Sequence, residues 1–159
     1  MKKIVALILV TVMALVSFAG CSDSLYDDFE NYLNVQMADV NANYDLIKEE
    51  TANWEAYEED AEFETSLKDI LIPLVDDSLA KLEDVAPQTE EVKELKAKYV
   101  DVMDAYKAAF EQILEGVINQ DADTMNAGSE KLEEGIELLD DYNAGLEALA
   151  KEVGAEIEY

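Results

Sequence analysis

The spacing of apolar residues constrains this chain most strongly, because it repeats in alternating steps of three and four over most of the sequence. Such steps place side chains on one face of an α-helix, whereas a strand needs alternation at every second residue. Four successive stripes cover residues 26–57, 63–85, 92–117 and 125–153. No stretch alternates for long enough to form a sheet, so the sequence predicts an all-α fold.

The connections between the stripes are short, and most contain helix-breaking residues. Turns are predicted at residues 86–89, where a proline interrupts the pattern, and at residues 119–123. Gly154 is expected to end the last helix, while residues 58–62 contain no breaker and leave either a tight turn or a bend. Short connections between long amphipathic helices favour antiparallel neighbours. We therefore expect one domain over residues 25–159, folded as an antiparallel up-down four-helix bundle.

Three residues inside the stripes disfavour a regular helix. Pro73 must kink the second helix or shift its start, because proline has no N–H and its ring collides with the preceding turn. Gly128 and Gly135 lie one heptad apart near the fourth stripe. Glycine destabilises a helix, so we expect both to mark a close approach of two helix backbones.

The first twenty residues differ in kind from the rest of the chain. Two lysines precede an uncharged apolar run over residues 4–18, and two small residues and Cys21 follow it. This is the layout of a secretion signal. The run is shorter than the roughly 20 apolar residues of a membrane-spanning helix, and acidic residues come after it. We therefore expect residues 1–20 to be removed as a signal peptide.

The motif Phe18-Ala19-Gly20-Cys21 resembles the lipobox of bacterial lipoproteins, in which a Leu-like residue and two small residues precede an invariant cysteine. Phe18 departs from the commoner leucine at its position. The resemblance implies that the cysteine becomes the first mature residue and carries a diacylglyceryl group. Two or three acyl chains hold a protein firmly at a membrane, whereas one chain holds it only marginally.

The resemblance also predicts where the domain lies. Residues 21–24 would be the lipidated cysteine and a short tether, and the domain would stand on the extracytoplasmic face of the cell membrane. In a bacterium with two membranes, Ser22 would permit delivery to the outer membrane. The alternative is an ordinary secreted protein in which Cys21 is a free thiol.

The charge of the chain excludes several classes of function. Residues 21–159 carry nine lysines against 38 acidic residues, a net charge of −29, and the chain has no arginine or histidine. Such a domain repels phosphate backbones and anionic headgroups, so we expect no nucleic-acid partner and no basic-patch binding to membranes. With the one cysteine lipidated, no imidazole base, thiolate nucleophile or guanidinium clamp is left. Paired carboxylates could hydrolyse glycosides, but only in a sugar-sized cleft. We therefore predict that the protein is not an enzyme.

Acidic residues are densest between the first and second stripes. Six fall within residues 55–64, and the expected topology brings residues 121–123 to the same end. Calcium takes six to eight oxygen ligands, so convergent carboxylates could bind an ion. The candidate ligands are Glu58, Glu59, Asp60, Asp121 and Asp123. The segment that begins at Asp121 departs from the EF-hand pattern of calcium-binding loops. We therefore favour a solvated acidic surface over a specific cation site.

Aromatic residues suggest a second kind of site. Trp54 lies near the acidic end and is the candidate ligand-binding residue, since tyrosines and a tryptophan could line a pocket between helices for a small apolar ligand. Such side chains more often belong to the core, with their hydroxyl edges in water. We favour core packing for the tyrosines on or beside the stripes, which are Tyr26, Tyr44, Tyr99, Tyr106 and Tyr142.

The function predicted from these features is a non-enzymatic binding or adaptor module, anchored by lipid at the cell envelope and engaging an envelope protein. We expect no cofactor, and a calcium ion at the acidic turns is the alternative. The alternative is a lipoprotein that binds a divalent cation through the acidic turns, or a small ligand in a pocket near Trp54.

Overall fold

The computed structural model describes residues 24–157 of the chain. Helices account for 89% of these residues and none of them lies in a strand, which confirms the predicted all-α class. The predicted signal peptide, the predicted lipidation site Cys21 and residues 22–23 of the tether lie outside the described residues.

Six α-helices follow one another within residues 24–157, and π-helical turns join two pairs of them. The helices are α1 (Ser24–Asn31), α2 (Ala38–Asn53), α3 (Asp60–Thr65), α4 (Ile72–Asp84), α5 (Glu90–Asn119) and α6 (Ala122–Val153). The first π turn, Tyr32–Gln36, joins α1 to α2, and the second π turn, Ser66–Leu71, joins α3 to α4. A 3₁₀ turn, Trp54–Ala56, follows α2.

The first π turn changes which residues reach the core. Met37 donates its backbone N–H to the carbonyl of Tyr32, five residues earlier, at 2.9 Å. A π turn accommodates one more residue than an α-helical turn, so the face presented to the core moves along the chain. Tyr32 and Leu33 are therefore both buried, although only Leu33 belongs to the stripe of three-and-four spacing.

The second π turn has the same effect and accommodates Pro73. Ile72 donates its backbone N–H to the carbonyl of Leu67, and Pro73 follows in the first turn of α4, where a missing N–H costs least. The sequence predicts either a kink or a shifted start at this proline, and the structure has helical backbone that continues from α3 through the π turn into α4, with Pro73 as the second residue of α4. After the turn, Leu71 and Val75 are completely buried.

The other connections fall where the sequence predicts them. α4 ends at Asp84 and α5 begins at Glu90, so the predicted proline turn lies between them. Gln120 and Asp121 separate α5 from α6, and Gly154 ends α6 with a left-handed φ of 73°. The connection before α3, which the sequence left undecided, is a turn with extended backbone on both sides.

α5 and α6 pack against each other with very close backbones. A Cβ atom on Gly128 would lie 2.8 Å from the backbone nitrogen of Ile113, and one on Gly135 would lie 2.6 Å from Cδ1 of Tyr106. Both distances are shorter than real carbon contacts, so only glycine fits without displacement. The predicted close approach to another helix backbone is confirmed at Gly128, whereas the close neighbour of Gly135 is the side chain of Tyr106.

The helices share one hydrophobic core. α2 packs against α4, α4 against α5, and α5 against α6, while α1 contacts both α5 and α6. Buried side chains from these helices and from both π turns form a continuous cluster. Within residues 24–157, every helix is too short or too polar to cross a membrane.

Candidate functional site

Trp54, the predicted ligand-binding residue, lies in the core at the end of α2. Only 5% of it is exposed, and its ring centroid lies 5.6 Å from that of Phe63 and 6.0 Å from that of Phe110. Its indole N–H donates to the hydroxyl of Ser66 at 2.9 Å. Because the ring is covered and its one polar atom is bonded, little of it is open to a small ligand.

Four of the five predicted tyrosines lie in the core, while Tyr26 is half-buried. The hydroxyls of Tyr44, Tyr99 and Tyr106 are buried, and that of Tyr99 has no hydrogen-bond partner among the described residues. Tyr142 approaches the hydroxyl of Tyr32 at 3.4 Å, and burial raises its pKa to about 12. Burial raises the pKa of the other buried tyrosines as well, so all of these phenols are neutral at ordinary pH.

The five predicted cation ligands lie on two separate connections. Glu58, Glu59 and Asp60 are exposed at the turn before α3. The backbone N–H groups of Glu58 and Glu59 donate to the carboxylate of Glu62 at 2.9 and 3.0 Å, which stabilises the start of the helix. No group of three or more acidic side chains in the described part of the chain is close enough to hold a metal ion.

Asp121, the fourth of these candidates, caps α6. Its carboxylate accepts hydrogen bonds from the hydroxyl of Thr124 at 2.8 Å and from the backbone N–H groups of Thr124 and Asp123 at 3.3 and 3.0 Å. These bonds, that of the Thr124 hydroxyl first, lower the pKa of Asp121. Asp123 lies in the first turn of α6, where the helix dipole favours a negative charge. The acidic residues of this connection therefore stabilise the helix, and the structure does not join them to the acidic turn before α3.

Sequence reasoning missed the role of Asp28, a carboxylate that is only 6% exposed. It lies in α1 and accepts hydrogen bonds from the backbone N–H groups of Gln88 and Thr89, and from the hydroxyl of Thr89. Burial opposes ionisation of this carboxyl, but the bonds from Thr89 and Gln88 outweigh it and hold the pKa of Asp28 below its ordinary value. Asp28 thus caps α5 from another helix.

A surface groove runs between α2 and the second π turn with α4, and we call it the α2–α4 groove. Its volume is about 570 Å³. The apolar residues that line it are Leu46, Ile70, Pro73 and Leu74. The polar residues that line it are Glu49, Glu50, Asn53, Asp69 and Asp77. The groove therefore combines an apolar lining with four carboxylates, and we call the apolar residues its floor and the carboxylates its rim.

The groove holds apolar side chains that the fold leaves uncovered. Leu46 is 50% exposed and Ile70 is 37% exposed. Each has a buried neighbour in sequence, Ile47 and Leu71, which takes the core position. The second π turn sets this choice at Ile70, because it fixes which of the two adjacent residues faces inward. Adjacent pairs of apolar residues were the sequence signal that could have indicated an apolar surface here.

The rim carboxylates differ in how they are bonded. Asp77 accepts hydrogen bonds from the Lys81 ammonium at 2.6 Å and from the Asn43 amide at 2.7 Å, and these bonds lower its pKa. Within residues 24–157, neither Glu49 nor Asp69 lies within ion-pair distance of a lysine. At least two rim carboxylates therefore present negative charge that no lysine of the described chain neutralises.

These features define an all-α protein with a closed, tyrosine-rich core, capped turns and an acid-rimmed groove on its surface. No protein-family model, curated protein or solved structure matches the chain. Functional inference therefore depends on the residues of this chain alone.

Proposed function

We propose that this protein is a non-enzymatic, lipid-anchored docking module of the bacterial cell envelope, which binds a protein partner in the α2–α4 groove. The observation that carries the proposal is the half-exposed pair Leu46 and Ile70 in one groove of about 570 Å³. Apolar side chains that converge on the surface of a well-packed domain are typical of interaction sites.

We propose further that the helices form an up-down four-helix bundle. In this arrangement α1 and α2 are the first rod, α3 and α4 the second, and α5 and α6 the third and fourth. The bonds of Asp28 to Thr89 support it, because they bring the start of the first rod to the turn between the second and third. The contact of Trp54 with Phe110 supports it as well, because it brings the end of the first rod to the later part of the third.

The lipid anchor is supported by the lipobox-like residues that end in Cys21, three positions before the start of α1. In the proposed bundle, the end at Ser24 faces the membrane. Leu46 is 22 residues further along, so at a rise of about 1.5 Å per residue the groove would stand roughly 30 Å from that end. At this distance from the membrane, the groove is accessible to an envelope protein that does not itself contact the lipid.

The non-enzymatic character is supported by the composition and by the use of the buried polar groups. The chain has no histidine or arginine, and its buried tyrosines have raised pKa values that keep them protonated. The most buried carboxylate, Asp28, is engaged in capping α5. These features support a structural role for these groups rather than a catalytic one.

Site-specific photo-crosslinking in the native cells tests the proposal. A photoreactive residue replaces Leu46 in the full-length lipoprotein, and Leu138, which is 36% exposed on α6, is the matched control position. We expect a discrete adduct of one envelope protein from position 46 and none from position 138. Identical adducts from both positions, or no adduct from position 46, would contradict docking in the groove.

A further inference from the structure

We infer that the partner segment in the α2–α4 groove is a cationic amphipathic helix, with apolar side chains on one face and lysine or arginine beside them. This inference rests on the proposed docking function and specifies the chemistry of the occupant. The observation behind it is the combination of an apolar floor with carboxylates on both sides.

The floor requires apolar side chains from the partner. Leu46 belongs to α2, whereas Ile70, Pro73 and Leu74 belong to the second π turn and α4, so the floor lies between two neighbouring helical segments. A groove between two packed helices accommodates a third helix, which enters with apolar residues at steps of three and four. A partner without such a stripe would leave the floor in water.

The rim requires positive charge. Glu49 and Glu50 lie on the α2 side, and Asp69 and Asp77 lie on the opposite side. A docked helix removes water from these carboxylates, and burying an uncompensated charge is costly. Lysine or arginine on both edges of the apolar stripe compensates it, and the extended side chains of these residues also cover apolar surface. Lys81 already compensates Asp77, but no lysine of the described chain lies within ion-pair distance of Glu49 or Asp69, so the charge that compensates these two comes from the partner.

The same charges disfavour other occupants. In a two-fold dimer through this face, each acidic rim would lie against its copy, and like charges placed together across an interface are unfavourable. A nucleic acid or an anionic membrane surface would meet the same repulsion. The chain as a whole carries a formal charge of −27, so charge alone attracts any cation, and the apolar floor must supply the selectivity.

The experiment separates the groove from this general attraction. The mature lipoprotein is reconstituted in nanodiscs of zwitterionic lipid, and empty nanodiscs serve as the blank. The probe is a labelled helical peptide of leucine and lysine, with leucines at steps of three and four, and binding is followed by fluorescence anisotropy at physiological ionic strength. Two further peptides replace every lysine with glutamate or scramble the order.

Two pairs of variants carry matched changes. L46S/I70S removes the exposed floor, and I118S/L138S removes two apolar residues of similar exposure elsewhere, 57% and 36%. E49Q/D69N neutralises two rim carboxylates, and E133Q/D141N neutralises two exposed carboxylates of α6. All eight side chains are exposed, so each variant is expected to keep the fold.

We expect the leucine–lysine peptide to bind and the other two peptides to bind far more weakly. L46S/I70S is expected to weaken binding about tenfold or more, as removal of a central anchor does. E49Q/D69N is expected to weaken it several-fold, and both control variants less than about twofold. This pattern supports a cationic amphipathic occupant.

Four outcomes would overturn the inference, and the last of them would also remove the proposed function. Equal weakening by both charge variants would mean general attraction to a polyanion. If the glutamate peptide binds and its binding depends on the groove, docking in the groove remains supported but the partner is not cationic. If the wild-type protein self-associates and L46S/I70S abolishes that association, a second copy of the chain is the occupant of the groove. If no peptide depends on the floor and position 46 also gives no crosslink, docking itself fails.

Discussion

Asp28 in α1 binds both the backbone N–H and the hydroxyl of Thr89 at the start of α5, at 2.8 and 2.6 Å, although 61 residues separate them in the chain. A helix start normally takes its cap from its own first residue. Here the side chain of Thr89 donates instead of accepting, and the carboxylate of Asp28 accepts the N–H groups of Thr89 and of Gln88, just before the helix. This bond therefore fixes α1 to the turn before α5 as well as stabilising that helix.

The substitution Asp28→Asn tests the strength of this cap. Loss of the charge weakens several hydrogen bonds to a buried carboxylate, and hydrogen bonds to charged groups contribute about 1.5–3 kcal/mol. We expect a decrease of that size in the free energy of unfolding, measured by urea denaturation followed by circular dichroism. Asp27→Asn is the control, because Asp27 is exposed in the same turn. A D28N protein as stable as D27N would contradict the capping role.

The same carboxylate predicts a pH dependence. The pKa of Asp28 is lower in the folded protein than its ordinary value of 3.8, so the folded state favours the ionised form. Its contribution to stability is therefore complete above about pH 4 and is lost as the pH falls through the lower folded value. The stability difference between wild type and D28N should shrink in acid and stay constant from pH 5 to 7. A difference that grows as the pH falls would contradict this assignment.

Gly128→Ala tests the close approach of α5 and α6. Alanine favours a helix by about 1 kcal/mol over glycine, but its Cβ would lie 2.8 Å from the Ile113 nitrogen and force the helices apart. Overpacking of this kind costs about 1–3 kcal/mol, so we expect net destabilisation on thermal unfolding. Gly145→Ala is the control, since its Cβ would meet only the ends of two flexible side chains, a methyl group of Leu95 at 3.1 Å and Nζ of Lys98 at 3.6 Å. Equal effects of the two substitutions would mean that the helices can separate at little cost.

Calcium distinguishes a specific cation site from a solvated acidic surface. We expect calcium, magnesium and a matched increase in sodium chloride to raise the unfolding midpoint alike, because all of them screen the self-repulsion of so many carboxylates. Thermal unfolding of the mature protein measures the midpoint. A rise with millimolar calcium that clearly exceeds the other two would indicate preferential binding to the folded state. Glu58, Glu59, Asp60, Asp121 and Asp123 would then be the first residues to substitute.

Cys21→Ala tests the lipid anchor. We expect wild-type protein in the membrane fraction, with the mass of a cleaved chain plus acyl groups. The variant should lack these groups, because the lipobox pattern requires cysteine at this position. Without acyl chains the acidic domain has no basis for binding a membrane surface. Phe18→Leu is the control, and it should leave the anchoring unchanged. Wild-type protein without acyl mass would indicate an ordinary secreted protein.

Part of the candidate site was predictable from the sequence, and part was not. Two carboxylates of the groove rim, Glu49 and Glu50, stand next to each other in the sequence, and the acidic composition alone predicts a negative surface. That Ile70 faces outward and Val75 inward was not predictable, because both fit an apolar helical face. Which of these residues is buried depends on one additional residue in a π turn. The three-and-four spacing of apolar residues does not reveal that such a turn is present.

The sequence by itself determined the all-α class, the positions of the turns before and after α5 and the close packing at Gly128 and Gly135. These follow from local rules, namely the period of apolar residues and the conformational limits of proline and glycine. Only the tertiary structure decided that Asp28 caps a helix 61 residues away, that Tyr32 enters the core and that Leu46 and Ile70 meet in one groove. These relationships depend on the register and separation of neighbouring helices, which long-range packing sets and no local pattern of residues encodes.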